Sequence, residues 1–379
     1  MTSSDGTSGR RSISMDAGST SIRRIRRRSM PPTSSSQPVM PPTATWHGTC
    51  FGSSNWQDGC RSRYRRSFTM TDMIQVPELA QRPTDAHKGT FGTVLVIGGC
   101  ARSSDRLMVG GPAFTAIASL RSGAGLSVLA VPEPLATAAL EIAPEATVIP
   151  LPVLADHSLD PSATAAVLDA QMDHSMRVLA IGPGMGTSIQ AGQVVMRLIS
   201  RPDRMLVLDA DALNVMSRAR SFDMDLKAPC ILTPHPGEFA RLAHALDLDI
   251  DGTDPDRRLD AAVAMAMRLG CIVVLKGSHT IVTDGQRAHV NTTGGPVLAT
   301  AGSGDCLAGI IAGLLAQYAD VNTPCPGDRG LSMLQCAVLG VHLHGLAGDR
   351  IADRRGDAGM LARELLQEIP AAMDQLRKG

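Results

Sequence analysis

From residue 87 onward the chain repeats one alternation. A short apolar, β-branched run ends in glycine, proline or a charged residue, and a helix-length stretch follows it. The runs are HKGTFGTVLVIGG (87–99), VLAIGPGMG (178–186), LVLDADALN (206–214), ILTPHPGEF (231–239) and VVLKGSHTIVTDG (273–285). Helix-length stretches fall at 111–121, 163–173, 192–200 and 256–269. At least five strand, turn and helix cycles predict an α/β domain with a largely parallel sheet covered on both faces. In such folds ligands bind at the carboxyl ends of the strands, where all of these polar clusters fall. A last apolar run, 306–316, suits a buried helix.

Composition adds a second region. Residues 1–70 are rich in Ser, Thr, Pro and Arg and show no sustained apolar period, which predicts a disordered tail ahead of a domain over 71–379. The tail holds 11 of the 36 basic and 3 of the 36 acidic residues, leaving 25 and 33 for the domain, a net charge near −8 that the overall zero conceals. An acidic domain is a poor generic nucleic-acid binder, and none is expected as a partner. The runs IRRIRRRS and RSRYRRSF fit a solvated tail, a basic arm, part of a transit peptide, or translation upstream of a start at Met70 or Met73. No apolar run is long enough to span a bilayer, so the expected location is cytoplasmic. Eight cysteines show neither CxxC spacing nor regular pairing, and Cys230, Cys271 and Cys306 read as small core residues.

The densest chemistry lies in NTTGGPVLATAGSGDCLAGIIAG (291–313). Gly302, Ser303 and Gly304 precede the apolar run, which makes Asp305 a first-turn residue of a helix whose free N–H groups and dipole favour an anion. A Gly-Ser-Gly-Asp turn could also simply cap a helix. Other motifs point elsewhere only weakly. Gly182, Gly184 and Gly186 give GxGxG and lack the third glycine of a dinucleotide fingerprint, and Lys276-Gly277 lacks the rest of a Walker loop. His342 and His344 point roughly 200° apart on a helix, which fits packing or an interface better than a shared metal. Asp209 and Asp211 could both cap strand ends.

In this order, HKGTFGTVLVIGG, GPGMG, LDADALN, TPHPGEF, VVLKGSHT and AGSGDCLAGIIAG resemble the carbohydrate kinase-like domain of the NAD(P)H-hydrate dehydratases, in the ribokinase-like superfamily, over residues 75–379. The resemblance implies a central, mostly parallel sheet of about eight strands flanked by helices, assembled as a homotetramer. It implies dehydration of hydrated NADH or NADPH, hydroxylated at carbon six of the nicotinamide ring, at the expense of ADP (ATP is the other possibility), with release of AMP and phosphate. A kinase-like step first turns the hydroxyl into a phosphate that can leave. Asp305 would be the catalytic base and touch the substrate, its helix-dipole position favouring the ionised form so that orientation supplies its power. Gly111, Gly184 and His235 would line the substrate side. Lys276, Gly277, Ser278, His279, Thr280 and Gly304 would bind the nucleotide, with Lys276 against phosphate, and Asp211 and Glu238 would orient Mg²⁺ or its waters. His235 could instead be only a helix-start residue and Lys276 only a solvated strand-end lysine. Many members carry a fused N-terminal epimerase domain, which the segment before the first strand is too short to hold, so a separate epimerase is expected upstream. The segment CARSSDRLMVGG departs from the small, glycine-rich residues usual there. Two rivals share parts of this pattern: a vitamin-type hydroxymethyl kinase, which has no reason to carry TPHPGEF, and a non-catalytic nucleotide sensor, which could dispense with Asp305.

Overall fold

A computed structural model of the chain describes residues 72–102, 104–319 and 330–378, all within the unit Thr45–Gly379. The expectations for residues 1–70 and for Cys50, Cys60 and Cys325 lie outside the described residues.

The elements alternate as the pattern predicts. They are β1 (Thr93–Ile97), α1 (Gly110–Arg121), β2 (Leu126–Pro132), α2 (Ala136–Ile142), β3 (Thr147–Leu151), α3 (Pro161–Gln171), β4 (Val178–Ile181), α4 (Ile189–Ile199), β5 (Met205–Leu208), α5 (Asp211–Met216), α6 (Phe222–Asp225), β6 (Cys230–Leu232), α7 (Pro236–Ala245), α8 (Arg258–Leu269), β7 (Ile272–Leu275), β8 (Ile281–Thr283), β9 (Ala288–Val290), α9 (Ser303–Tyr318), α10 (Met333–Arg355) and α11 (Ala362–Lys378). Two helices start two to three residues earlier than the apolar pattern suggests because polar caps set their first turns. The Asp160 carboxylate accepts from the N–H groups of Ser162 and Ala163 ahead of α3, and the Ser188 hydroxyl accepts from Ala191 N–H ahead of α4.

The strands form one sheet in the order β3-β2-β1-β4-β5-β6-β7-β8-β9, parallel from β3 to β7. Among the described residues the sheet has nine strands, in keeping with the expected eight or so. It ends in an antiparallel β7-β8-β9 meander, whose last turn forms where the Asp284 carboxylate accepts from the N–H groups of Gln286 and Arg287. The three residues of β9 are too short and too mixed in polarity to announce a strand.

Alternate residues of each buried strand feed opposite faces. Val94, Val96, Val178, Ala180, Val207 and Val274 pack under α1, α9, α10 and α11, whereas Leu95, Ile97, Leu179, Ile181, Leu208 and Leu275 pack under α3, α4, α5, α7 and α8. On the first face α1 and α9 approach closely because α9 is bare where they cross. A Cβ on Gly309 would lie 2.2 Å from the Thr115 carbonyl oxygen, and one on Gly313 would lie 2.2 Å from Ser122 Oγ. Cys230, Cys271 and Cys306 are buried free thiols, as are Cys100 and Cys336. Among the described residues no helix is long and apolar enough to cross a membrane.

Chain order reverses between β1 and β4, so the crossovers leaving those strands diverge to opposite faces and open a crevice at their carboxyl ends. Every site residue proposed from sequence lies on a loop or helix start that follows a strand of this sheet, or on the first turn of α9.

Candidate active site

Helix α9 supplies the centre. Gly302 caps it at φ 86° with no side chain in the way, since a Cβ would lie 2.8 Å from that of Ala362 and 3.0 Å from the Phe114 ring. Asp305 stands in the first turn. Its carbonyl accepts from Thr115 Oγ1 at 3.1 Å, and the same hydroxyl lies 3.0 Å from the Gly111 carbonyl, which ties the start of α1 to the start of α9. From behind, His344 Nε2 donates to the Ser303 carbonyl at 3.0 Å and lies 3.0 Å from Ser303 Oγ. Burial holds the His344 imidazole down to about 4, so it stays neutral at ordinary pH and serves as a pillar under the turn. Of the histidine pair, His344 therefore supports the loop, while His342 faces His289 and Asp349.

A compact set of charges surrounds that turn. Asp209, at the end of β5, is 2% exposed and accepts from Thr233 Oγ1 at 2.6 Å and from Lys276 Nζ at 2.8 Å. Lys276, at the end of β7, also lies 3.8 Å from Glu238 Oε2. Glu238 completes the start of α7, because its Oε2 accepts the His235 N–H at 2.8 Å while His235 Nδ1 accepts the Gly237 N–H at 3.0 Å. Burial alone would lower Lys276, but Asp209, Glu238 and Asp305 overcome it and the ammonium is held above its ordinary range. The carboxyls behave oppositely. Burial, reinforced by Asp209 and only partly offset by Lys276, pushes Asp305 up to about 7, and burial likewise pushes Glu238 up to about 7. Desolvation and neighbouring carboxylates thus outweigh the helix dipole at Asp305, and the expectation of an ordinary ionised carboxylate is corrected. A carboxyl titrating near neutrality suits a general base.

Opposite the charges the wall is bare. A Cβ on Gly111 would lie 3.1 Å from Asp305 Oδ1, and one on Gly184, at φ 58°, would lie 3.0 Å from the Met108 Cβ. Despite the unusual composition of CARSSDRLMVGG, Cys100 and Met108 pair across an antiparallel bridge, and Met108 stands beside Gly184.

The structure brings Gly111, Lys276, Gly304, Asp305, His235 and Glu238 to one end of the sheet. A Cβ on Gly304 would be 3.4 Å from Lys276 Nζ. Lys276 is no solvated strand-end lysine; its ammonium faces Asp209 rather than standing free. Gly277, Ser278, His279 and Thr280 form the turn that follows, with Gly277 at φ 146°, His279 at φ 55° and Thr280 Oγ1 donating to the Gly277 carbonyl. Asp211 sits differently: its Oδ2 accepts the Gly186 N–H at 2.9 Å and its Oδ1 accepts from Asn214 Nδ2 at 3.1 Å, so it fixes the GPGMG loop. With Asp211 and Glu238 already accepting protein N–H groups, and no set of three or more His, Cys, Asp or Glu able to hold an ion among the described residues, these side chains do not fit a metal held directly by the protein. Sequence reasoning missed the roles of Thr115, His344, Thr233 and Arg258: His344 was expected only to pack or meet an interface, Thr233 lies inside TPHPGEF but pairs with Asp209 from another strand, and Thr115 and Arg258 belong to no motif.

Residues 94–371 match the NAD(P)H-hydrate dehydratase family. The chain is 36% identical over 289 residues to the ADP-dependent (S)-NAD(P)H-hydrate dehydratase of Xanthomonas campestris, covering 76% of this chain and 90% of that protein. It is 35% identical over 305 residues to the bifunctional NAD(P)H-hydrate repair enzyme of Moorella thermoacetica, covering 79% of this chain but only 53% of that protein, so it spans about half the length of such relatives. Among solved structures, an ADP/ATP-dependent NAD(P)H-hydrate dehydratase from Bacillus subtilis, co-crystallized with ATP and Mg²⁺, superposes with a TM-score of 0.63 at 28% identity, covering 79% of this chain and 95% of that one. A ribokinase-like superfamily protein from Enterococcus faecalis gives the same TM-score at 27% identity, covering 80% and 93%. With sequence and fold agreeing across the whole sheet, the chain belongs to the NAD(P)H-hydrate dehydratase family and has the ribokinase-like fold.

Proposed function

We propose that the chain dehydrates the S-epimer of hydrated NADH and NADPH, restoring NADH and NADPH while ADP is converted to AMP and phosphate. The observation that carries this reading is Asp305, a buried carboxyl titrating near 7 at the start of α9, between a bare glycine wall and a charged one. The names and similarity of the Xanthomonas and Bacillus relatives support it.

Asp305 takes the proton of the ring hydroxyl as its oxygen attacks the β-phosphorus of ADP, and the bond to the bridging oxygen breaks to release AMP. N–H groups at the start of α9 meet the charge on the transferring phosphoryl group. The C–O bond of the new phosphoester then breaks with the push of the ring nitrogen. The departing phosphate carries off the proton of the adjacent carbon and the ring double bond returns. Gly111 and Gly184 give the nicotinamide ring room, His235 edges the same space, and the turn from Lys276 to Thr280 with Gly304 takes the nucleotide. Lys276 acts through its ion pair with Asp209 beside Asp305. Mg²⁺ would arrive on the nucleotide phosphates, with Asp211 and Glu238 reaching it only through water, and neutralise charge there.

The same reading includes ADP in preference to ATP, a homotetramer in the cytoplasm, and a separate epimerase that converts the R-epimer upstream. Purified protein incubated with hydrated NADH and either nucleotide should restore the NADH absorbance, faster with ADP. No recovery with either nucleotide would sink the reading.

A further inference from the structure

Arg258 opens α8 and is 9% exposed, yet its guanidinium leaves the helix and lies beneath the turn between β7 and β8. Its Nη2 donates to the carbonyls of Leu275 at 3.3 Å and Lys276 at 3.1 Å, and its Nη1 donates to the Ser278 carbonyl. A cation in a first helical turn stands at the unfavourable end of the helix dipole. Burial lowers its pKa, and among the described residues no carboxylate pairs with it. Gly277 makes room for it: at φ 146° a Cβ there would be 2.7 Å from Nη2.

Peptide planarity converts this cage into a site. Where the carbonyls of Lys276 and Ser278 turn toward Arg258, the N–H groups of Gly277 and His279 turn the other way. Among the described residues, the N–H groups of Gly277, Ser278 and His279 donate to no backbone acceptor outside the regular elements and to no side chain. Successive free N–H groups over a buried cation make an anion-binding concavity. With the Lys276 ammonium turned onto Asp209, the turn needs another positive charge behind it, and Arg258 is there.

Resting on the nucleotide role proposed for this turn, we propose that Arg258 is its positioning residue: it draws the carbonyls inward, aims the N–H groups of Gly277 and His279 at the phosphates of a nucleoside diphosphate, and has its own charge balanced by them. Calorimetric titration of ADP and of adenosine into the wild type, Arg258→Lys and Arg258→Met tests this. ADP binding should weaken on the order of 10- to 100-fold in Arg258→Met and less in Arg258→Lys, with adenosine changed less than about twofold. Equal losses for ADP and adenosine would reduce Arg258 to a strut for the turn, and unchanged ADP binding in a folded variant would overturn the proposal outright. Hydrogen exchange on the wild type is a test independent of variant folding. ADP, but not adenosine, should slow exchange over residues 277–279, and the absence of that protection overturns the proposal. A wild type that binds no ADP at all would instead refute the nucleotide site itself.

Discussion

The two sides of the crevice are built from opposite chemistry. Strands β1 and β4 end in glycine: Gly98, Gly99, Gly182, Gly184 and Gly186 lie just beyond them, and Gly111 opens the following helix start. Strands β5, β6 and β7 end in charge and hydrogen-bonding groups, namely Asp209, Thr233 with His235 and Glu238, and Lys276. Asp305 stands between them, with a bare Cα on one side and the ammonium and carboxylate set on the other. Shape is therefore controlled from one half of the sheet and proton affinity from the other. Substitutions on the two walls should fail in different ways.

The largest effect is expected at the shared group. Asp305→Asn should lower turnover by roughly 100- to 10,000-fold, as loss of a positioned base does, while ADP binding measured by calorimetry stays largely intact. Near-normal turnover in the purified variant would remove Asp305 from the proton transfer and dissolve the contrast between the walls.

The bare wall comes next. Gly111 lies in α1 without a positive φ, so alanine fits its backbone, but the new methyl would press on Asp305 Oδ1 from 3.1 Å. Overpacking of this kind costs about 1–3 kcal/mol, so kcat/KM should fall on the order of 10- to 100-fold in Gly111→Ala. The melting temperature should move little, because one end of the contact is a side chain that can shift. A variant with wild-type kcat/KM would show that the ring does not enter from this side.

Much of this division could be read from the chain. The glycine runs and the polar clusters at strand ends are visible as punctuation, and Asp305 stood out because three small residues precede an apolar helix. What could not be read is how the clusters face one another. Lys276 looks like a phosphate ligand in VVLKGSHT, and only the parallel pairing of β5, β6 and β7 puts its ammonium on Asp209. The high pKa of Asp305 was hidden for the same reason, since burial and carboxylates from other strands dominate it and no local pattern encodes them. The position of Arg258 followed this logic: a helix-start arginine shows nothing until the turn it supports, 18 to 20 residues on, is folded over it.

On the charged wall, Lys276→Ala should act through proton affinity. Lys276 pulls the pKa values of Asp305 and Glu238 down, so its removal raises both. In the wild type kcat/KM should rise with pH through about 7 as Asp305 loses its proton. In Lys276→Ala that rise should move to higher pH, by about one unit, with most of the activity recovered once the base is ionised. A profile that falls in height without moving along the pH axis would mean that the lysine acts on the nucleotide instead.

The smallest effect concerns stability on the same wall. Glu238 has an ordinary value of 4.5 and is held at about 7 in the folded protein, chiefly by burial. Its folded form binds the proton more tightly than its unfolded form, so the contribution is most favourable below about 4.5 and is lost as pH rises through about 7. At roughly 1.4 kcal/mol per unit, with relaxation of the site reducing the full difference, the loss should be on the order of 2 kcal/mol. Glu238→Gln keeps an oxygen to accept the His235 N–H and removes the charge. Relative to the wild type it should gain a few degrees in melting temperature at pH 8 and nothing at pH 4.5. The exposed carboxylates held below their ordinary range, such as Asp156, lose their contribution only as pH falls further, so they do not obscure this window. Paired thermal melts of the two proteins across that range decide the matter. A variant less stable than the wild type at pH 8 would mean that the ionised Glu238 is held favourably by Lys276, and the charged wall would then be a stabilising network instead of a reservoir of raised proton affinity.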